Sequence, residues 1–142
     1  RGKSSSSSSS SRGRKEEVGP VVVTTILVTH KHWDHQAGVR RVIESERGRT
    51  RRAHRREPEA FAERIAVVAG RRERGVECCT RQAEDGERIS VGELVFEVVP
   101  SPCHTQGHVM FALLAVDEPG RVDGLFTGDT LFCGGCGAPF EG

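Results

Sequence analysis

Three of the chain's six histidines fall within six consecutive residues, together with an aspartate, in the segment Thr29-His30-Lys31-His32-Trp33-Asp34-His35. In an extended chain the side chains of residues i and i+2 point to the same side, so His30 and His32 can bind one ion together. Asp34 and His35 follow at once and can bind a second ion close by. Imidazole and carboxylate groups suit zinc, iron or manganese, so this segment predicts a metal centre.

Two later segments carry further candidate ligands. In Pro102-Cys103-His104-Thr105-Gln106-Gly107-His108, the last histidine follows a glycine, which lets the backbone approach a crowded site. A lone histidine there is more often structural, but the first ion still needs a third ligand, which makes His108 a candidate. In Phe126-Thr127-Gly128-Asp129-Thr130-Leu131-Phe132, Asp129 could bridge two cations with its two oxygens, a role that imidazole cannot fill. Taken alone, Gly-Asp-Thr is typical of a turn.

Each candidate segment follows a predicted strand, where ligand-bearing loops commonly lie in α/β folds. Apolar, β-branched runs predict these strands, and an apolar face at helical spacing predicts a helix over residues 36–46. The predicted strands cover residues 21–29, 65–69, 94–99, 109–116 and 124–127, and Pro58 could open a short helix over residues 58–63.

The length of 142 residues favours a single domain. Residues 1–17 are rich in Ser and Arg and have almost nothing apolar to bury, so we expect a disordered segment followed by a folded domain over residues 18–142. The chain does not begin with Met, which suggests that it is processed or part of a longer product.

The Arg-rich stretch 40–56 could bind phosphate, but a solvated loop is the favoured interpretation because no aromatic residues interleave.

A net charge of +1 gives no global attraction to nucleic acid, and no apolar run is long enough to cross a membrane. We therefore expect a soluble protein with neither nucleic acid nor membrane as a partner. Five cysteines without a secretory segment favour reduced thiols, in the cytoplasm or alternatively a mitochondrion or plastid. Cys133 and Cys136 have zinc-ligand spacing, but a structural site needs four ligands.

The three segments, in this order, resemble the motifs of the metallo-β-lactamase superfamily, and the third is similar to the hydroxyacylglutathione hydrolase (glyoxalase II) branch. The resemblance implies an α/β fold, a metallo-β-lactamase-like αββα sandwich truncated at both ends. It also implies two divalent metal ions, with zinc favoured over iron or manganese. Asp34 and Asp129 would be the catalytic residues, and the implied ligand set is His30, His32 and His108 for the first ion, Asp34 and His35 for the second, and Asp129 as the bridge.

The resemblance further implies hydrolysis of a small acyl-glutathione thioester, with metal-bound hydroxide attacking the carbonyl carbon. Ala138 stands where this branch has a basic residue for glutathione, and the family's seventh ligand, a histidine, would lie beyond Gly142. We therefore expect this polypeptide to bind the second ion weakly and to be poorly stable. Three alternatives stay open: a mononuclear iron persulfide dioxygenase of the same superfamily, a non-catalytic remnant, and a nucleic-acid-processing enzyme.

Overall fold

The computed structural model describes residues 22–53 and 65–141. In chain order its elements are β1 (Thr25–Leu27), α1 (Trp33–Gln36), α2 (Val39–Ala53), β2 (Ala66–Gly70), β3 (Arg81–Ala83), β4 (Arg88–Val91), β5 (Leu94–Pro100), β6 (Val109–Leu114) and β7 (Val122–Phe126), followed by a 3-10 turn, Gly128–Thr130.

The strands form two sheets. One is parallel, in the order β1-β2-β3, and the other is antiparallel and runs in chain order from β4 to β7. In the parallel sheet Ile26 lies opposite Val67, and in the antiparallel sheet Val98 lies opposite Phe111. Strand β2 is apolar throughout because both of its faces are covered, as is usual for a central parallel strand.

The main core lies between the two sheets. Val68 of the parallel sheet belongs to one apolar cluster with Phe96, Val98 and Phe111 of the antiparallel sheet. On the other face of the parallel sheet, a second cluster joins helix α2 to the strands, and its members include Val28, Val39, Ile43, Val67 and Ala69. The described residues therefore form helix, sheet and sheet layers, which are three of the four layers of an αββα sandwich.

Most of the predicted elements are present, with shifted ends. The strand predicted over residues 21–29 is confined to Thr25–Leu27, and the helix predicted over residues 36–46 begins at Val39 and continues to Ala53. A solvated loop over stretch 40–56 is therefore wrong for its described part. Arg is a good helix former, and the side chains of Arg40, Arg41, Arg47 and Arg49 are exposed on this helix. The helix predicted over residues 58–63 lies outside the described residues, as does the segment 1–17.

Two further expectations concern thiols and membranes. The cysteines are all free of disulfides, and the groups of possible metal ligands found among the described residues contain none of them. Within residues 22–53 and 65–141, no helix is long and apolar enough to cross a membrane.

Truncation of a buried valine tests the packing between the sheets. Val98 is 1% exposed, whereas Val116 is 79% exposed in the connection after β6. We expect Val98→Ala to lower the free energy of unfolding by about 2 kcal/mol, because it removes buried methyl groups and leaves a cavity. Val116→Ala, the same change at the surface, is the control and we expect a change below about 0.5 kcal/mol. Urea denaturation measures both, and equal effects would contradict the proposed core.

Candidate metal centre

Three loops meet at one end of the sandwich. The loop after β1 is tied to β6, because the backbone N–H of Val109 donates to the carbonyl of Thr29 at 3.0 Å. The loop between β5 and β6 is closed by a bond from the N–H of Ser101 to the carbonyl of His108 at 2.8 Å. Strand β7 ends at Phe126, opposite Phe111 of β6, so the following 3-10 turn reaches the same end. The three candidate segments therefore lie together at this end of the sandwich.

Two groups of side chains at this end could hold metal ions. In each group the possible ligand atoms all lie within 4.8 Å of one another. We call them the first donor group, which is His30, His32 and His104, and the second donor group, which is His30, His35 and Asp129.

The carboxylate of Asp129, a member of the second donor group, also lies beside the first donor group. One oxygen, Oδ1, is 3.0 Å from Nε2 of His35, and the other, Oδ2, is 3.2 Å from Nε2 of His104. Nε2 of His104 is in turn 2.8 Å from Nδ1 of His32. One oxygen of Asp129 therefore faces His35, and the other faces His104.

The ring of His30 supplies an independent test of whether this site fits a metal. His30 is fully buried, and its Nε2 has no hydrogen-bond partner, while its Nδ1 lies 3.1 Å from Oγ1 of Thr29. A buried polar atom without a partner costs about 1–3 kcal/mol, which a bond to a cation would offset. Burial, reinforced by the neighbouring His35 and His108, lowers the pKa of His30 to about 4, so the ring is a neutral donor at pH 7.

The structure places His104, rather than His108, in the first donor group. Nδ1 of His104 is 2.7 Å from the carbonyl oxygen of Ala138, to which it can only donate. That bond fixes the tautomer and leaves the lone pair of Nε2 facing His32 and Asp129, which is the usual arrangement of a metal-binding histidine. Sequence reasoning missed His104. Its motif contains two histidines, which indicates a ligand in this segment but does not show whether His104 or His108 is that ligand.

Our assignment of His108 as the third ligand of the first ion is therefore not supported by the geometry. Nε2 of His108 accepts the backbone N–H of Asp129 at 3.1 Å, and Nδ1 lies 3.2 Å from Oγ1 of Thr130. Both ring nitrogens are thus engaged by the 3-10 turn, and the ring is 1% exposed. His108 holds the backbone that carries Asp129, so it acts on the site through that residue.

Asp34 lies beside the second donor group without joining it. Its carboxylate is 3.6 Å from Nε2 of His35, and its side chain is 55% exposed in the first turn of α1. The predicted role of Asp34 as a ligand of the second ion remains a prediction.

Gly128 allows the turn to approach the histidines closely. It has a φ of +51°, and a Cβ there would lie 2.6 Å from Oγ1 of Thr29 and 2.7 Å from Nε2 of His108. A side chain at this position would be strained and would also push Asp129 away from His35 and His104.

Acid is expected to destabilise the metal-free protein. The pKa of His30 and that of His108 are both lowered to about 4, chiefly by burial, from 6.5 in the unfolded chain. As the pH falls, the two histidines therefore bind protons in the unfolded state before they do so in the folded state. The stability that the neutral rings give the folded state is fully present above pH 6.5 and is lost as the pH falls from 6.5 to about 4. We expect a loss on the order of 3 kcal/mol for each ring. Urea denaturation in the presence of a chelator, at several pH values, measures this loss. A free energy of unfolding that stays constant across this pH interval would contradict the lowered pKa of the two histidines.

Comparison with known proteins shows which family this chain resembles. Residues 6–139 match the family model described as the metallo-beta-lactamase superfamily. Hydroxyacylglutathione hydrolase of Dictyostelium discoideum is 34% identical over 125 residues, covering 86% of this chain and 39% of that protein. The protein of the same name from a Synechococcus species is 37% identical over 122 residues, covering 86% and 42%. The chain thus spans about two fifths of the length of these relatives.

Solved structures support the fold. ETHE1 from Myxococcus xanthus superposes with a TM-score of 0.57 at 27% identity, covering 82% of this chain and 40% of that one. A metallo-beta-lactamase from Staphylococcus aureus subsp. aureus COL gives a TM-score of 0.59 at 22% identity, covering 84% and 33%. The expected fold class is confirmed, and the chain belongs to the metallo-beta-lactamase superfamily.

Proposed function

We propose that the two donor groups form a two-metal centre that hydrolyses acyl-glutathione thioesters. The observation that carries this proposal is the position of Asp129, whose two oxygens lie at 3.0 Å from His35 and 3.2 Å from His104. A single carboxylate with one oxygen facing His35 and the other facing His104 is suited to two cations held side by side. Hydrolytic sites with two metals use this arrangement to stabilise both the attacking and the leaving groups.

Each residue has a distinct role in this proposal. His30, His32 and His104 would hold the first ion, and His35 and Asp34 the second, with Asp129 shared between them. Zinc, or alternatively iron or manganese, would lower the pKa of a bound water from about 15.7 toward 7 and polarise the thioester carbonyl of the substrate. Asp129 supplies negative charge between the cations, and the carbonyl of Ala138 orients the ring of His104 through its Nδ1. No nucleophilic serine or cysteine is needed.

The substrate class rests on the relatives named hydroxyacylglutathione hydrolase, two of which are 34% and 37% identical to this chain. Ala138 offers only its backbone carbonyl to the site, and that carbonyl is engaged by His104. Recognition of the glutathione carboxylates therefore has to come from other groups. This makes the strength of glutathione binding a separate question from hydrolysis of the thioester bond.

A steady-state assay tests the proposed activity. Zinc-loaded protein is mixed with S-lactoylglutathione, and loss of the thioester absorbance is followed with and without a chelator. We expect turnover that is abolished by the chelator and restored by added zinc, and a coenzyme A thioester as control substrate shows how far glutathione is preferred. Folded, zinc-loaded protein that fails to accelerate hydrolysis of either thioester would favour the non-catalytic remnant.

A mononuclear iron persulfide dioxygenase is the second candidate. It is favoured by the position of Asp34 outside both donor groups, which leaves the first group and Asp129 as one compact set of possible ligands. Metal analysis separates the two functions. One iron per chain, with oxygen uptake on glutathione persulfide, would replace the hydrolase proposal.

A further inference from the structure

A buried carboxylate lies outside both donor groups. Glu73 is only 2% exposed, and a buried charge is costly unless hydrogen bonds satisfy it. One oxygen, Oε1, accepts the backbone N–H of Lys31 at 2.9 Å, and the other, Oε2, accepts the hydroxyl of Thr105 at 2.8 Å. Both oxygens are therefore used, and each contacts a different loop of the candidate metal centre.

The two contacts fall beside all three members of the first donor group. Lys31 lies between His30 and His32, and Thr105 is adjacent to His104 in the chain. The carboxylate thus links the loop that carries two of the donors to the loop that carries the third.

Glu73 is well placed to impose that separation because its own backbone is fixed. Its N–H donates to the carbonyl of Gly70 at 2.9 Å, in the turn that ends the buried strand β2. On the other side, Gly107 packs so closely that a Cβ there would overlap the backbone nitrogen of Glu73. The carboxylate therefore projects from a turn that is held at the end of β2, and its backbone has little freedom to follow either loop.

A second carboxylate joins the same loops in a more solvated setting. Glu141 accepts from Nζ of Lys31 at 2.6 Å and from the N–H of Gln106 at 2.9 Å. The side chains of Lys31 and Glu141 are 33% and 30% exposed, and ion pairs in contact with water contribute little. The chain thus offers an internal comparison between a buried link and a partly exposed one.

We propose that Glu73 is a positioning residue that sets the geometry of the first donor group and thereby its affinity for a divalent cation. The inference rests on the proposed metal centre but not on the identity of the substrate. In this proposal, the effect of Glu73 on cation affinity comes from the length of its side chain and its two hydrogen bonds, rather than from its charge. A residue that matters only for general stability would not change the coordination of a bound ion.

Cobalt(II) is a suitable probe, because its visible absorption reports coordination geometry. We expect Glu73→Ala to raise the Kd for cobalt by about 10–100-fold and to change the spectrum, as for other residues that orient ligands. Glu73→Gln keeps the reach, since its carbonyl can accept from Lys31 and its amide can donate to Thr105, so we expect a Kd within about threefold of wild type. Glu73→Asp keeps the charge but shortens the reach, and we expect about a tenfold loss.

Two controls complete the design. Glu141→Ala removes the partly exposed link, and Glu46→Ala removes a buried carboxylate that pairs with Arg49 on α2 and belongs to neither donor group. We expect both to bind cobalt within about threefold of wild type. If Glu73→Ala does not fold, the contrast between the Gln and Asp variants decides.

The outcomes separate this inference from the proposed function. Wild-type affinity and spectrum in both the Ala and Asp variants would overturn the positioning role and leave the hydrolase proposal intact, and so would an equal loss in the Gln and Asp variants. Failure of wild-type protein to bind cobalt would overturn the metal centre and the inference with it. Normal cobalt binding without thioester hydrolysis would remove only the hydrolase proposal.

Discussion

Replacing Asp129 with Asn is expected to lower kcat/KM for thioester hydrolysis by about a thousandfold or more. The amide keeps the shape of the side chain but removes the negative charge that faces His35 and His104. Because a bridging carboxylate contributes to both ions, its loss would weaken the second ion and the electrostatic stabilisation of the transition state together, and each of these effects is worth several kcal/mol. Kinetics and metal content, measured on the same preparations, test this expectation.

The variant is expected to fold normally, which makes the result interpretable. The backbone N–H of Asp129 donates to His108 at 3.1 Å, and its carbonyl accepts from the N–H of Gly137 at 2.7 Å, and neither bond uses the side chain. Asp117→Asn is the matched control, because that carboxylate is 76% exposed and pairs only with Arg121 in the described residues. Unchanged hydrolysis in Asp129→Asn would contradict the bridging role and support a non-catalytic protein.

Removing the two histidines of the second motif in turn is expected to affect zinc binding very differently. Structural zinc sites gain about 10–16 kcal/mol from four ligands, so the loss of one ligand costs several kcal/mol. We therefore expect His104→Ala to raise the Kd for zinc by about a thousandfold. His108→Ala leaves the donor groups intact but frees the 3-10 turn, so we expect about a tenfold rise.

His108→Ala is also expected to destabilise the metal-free protein. His108 is fully engaged by Asp129 and Thr130, so its removal leaves a buried N–H unpaired and opens a cavity, at a cost of about 2–3 kcal/mol in the metal-free protein. Competition with a chromophoric chelator measures zinc affinity, and urea denaturation measures stability. A larger loss of zinc affinity in His108→Ala than in His104→Ala would restore the original assignment of His108 as the ligand.

The location of the site could be predicted because the sequence pattern indicates where the strands end. The runs that precede His30 and His104 are apolar and β-branched, and chain connectivity brings the loops that follow them to one end of the sandwich. Asp129 lies beside these loops because it is in a turn that follows a strand paired with β6.

The choice between His104 and His108 could not be made from the sequence, because it depends on contacts between distant segments. The glycine before His108 does allow a close approach, but the neighbour is the backbone of Glu73 rather than a metal ligand. The orientation of His104 depends on the carbonyl of Ala138, 34 residues later. Neither contact has a local pattern that periodicity or motif spacing could detect.

Other features escaped prediction for simpler reasons. Strand β3 is only three residues long and is polar on two of them, so it lacks the apolar alternation that predicts a strand. Helix α2 extends through a run of arginines that resembles a loop in composition, although arginine itself favours helix.

The most direct test of the metal centre is a crystal structure of the zinc-loaded protein with anomalous diffraction measured at the zinc edge. We predict a zinc peak bonded to His30, His32 and His104, with an oxygen of Asp129 facing it, and a second peak beside His35 at high zinc concentration. Zinc–nitrogen distances of about 2.0–2.1 Å are expected. A zinc peak bonded to His108 in place of His104, or no peak among these histidines, would contradict the account.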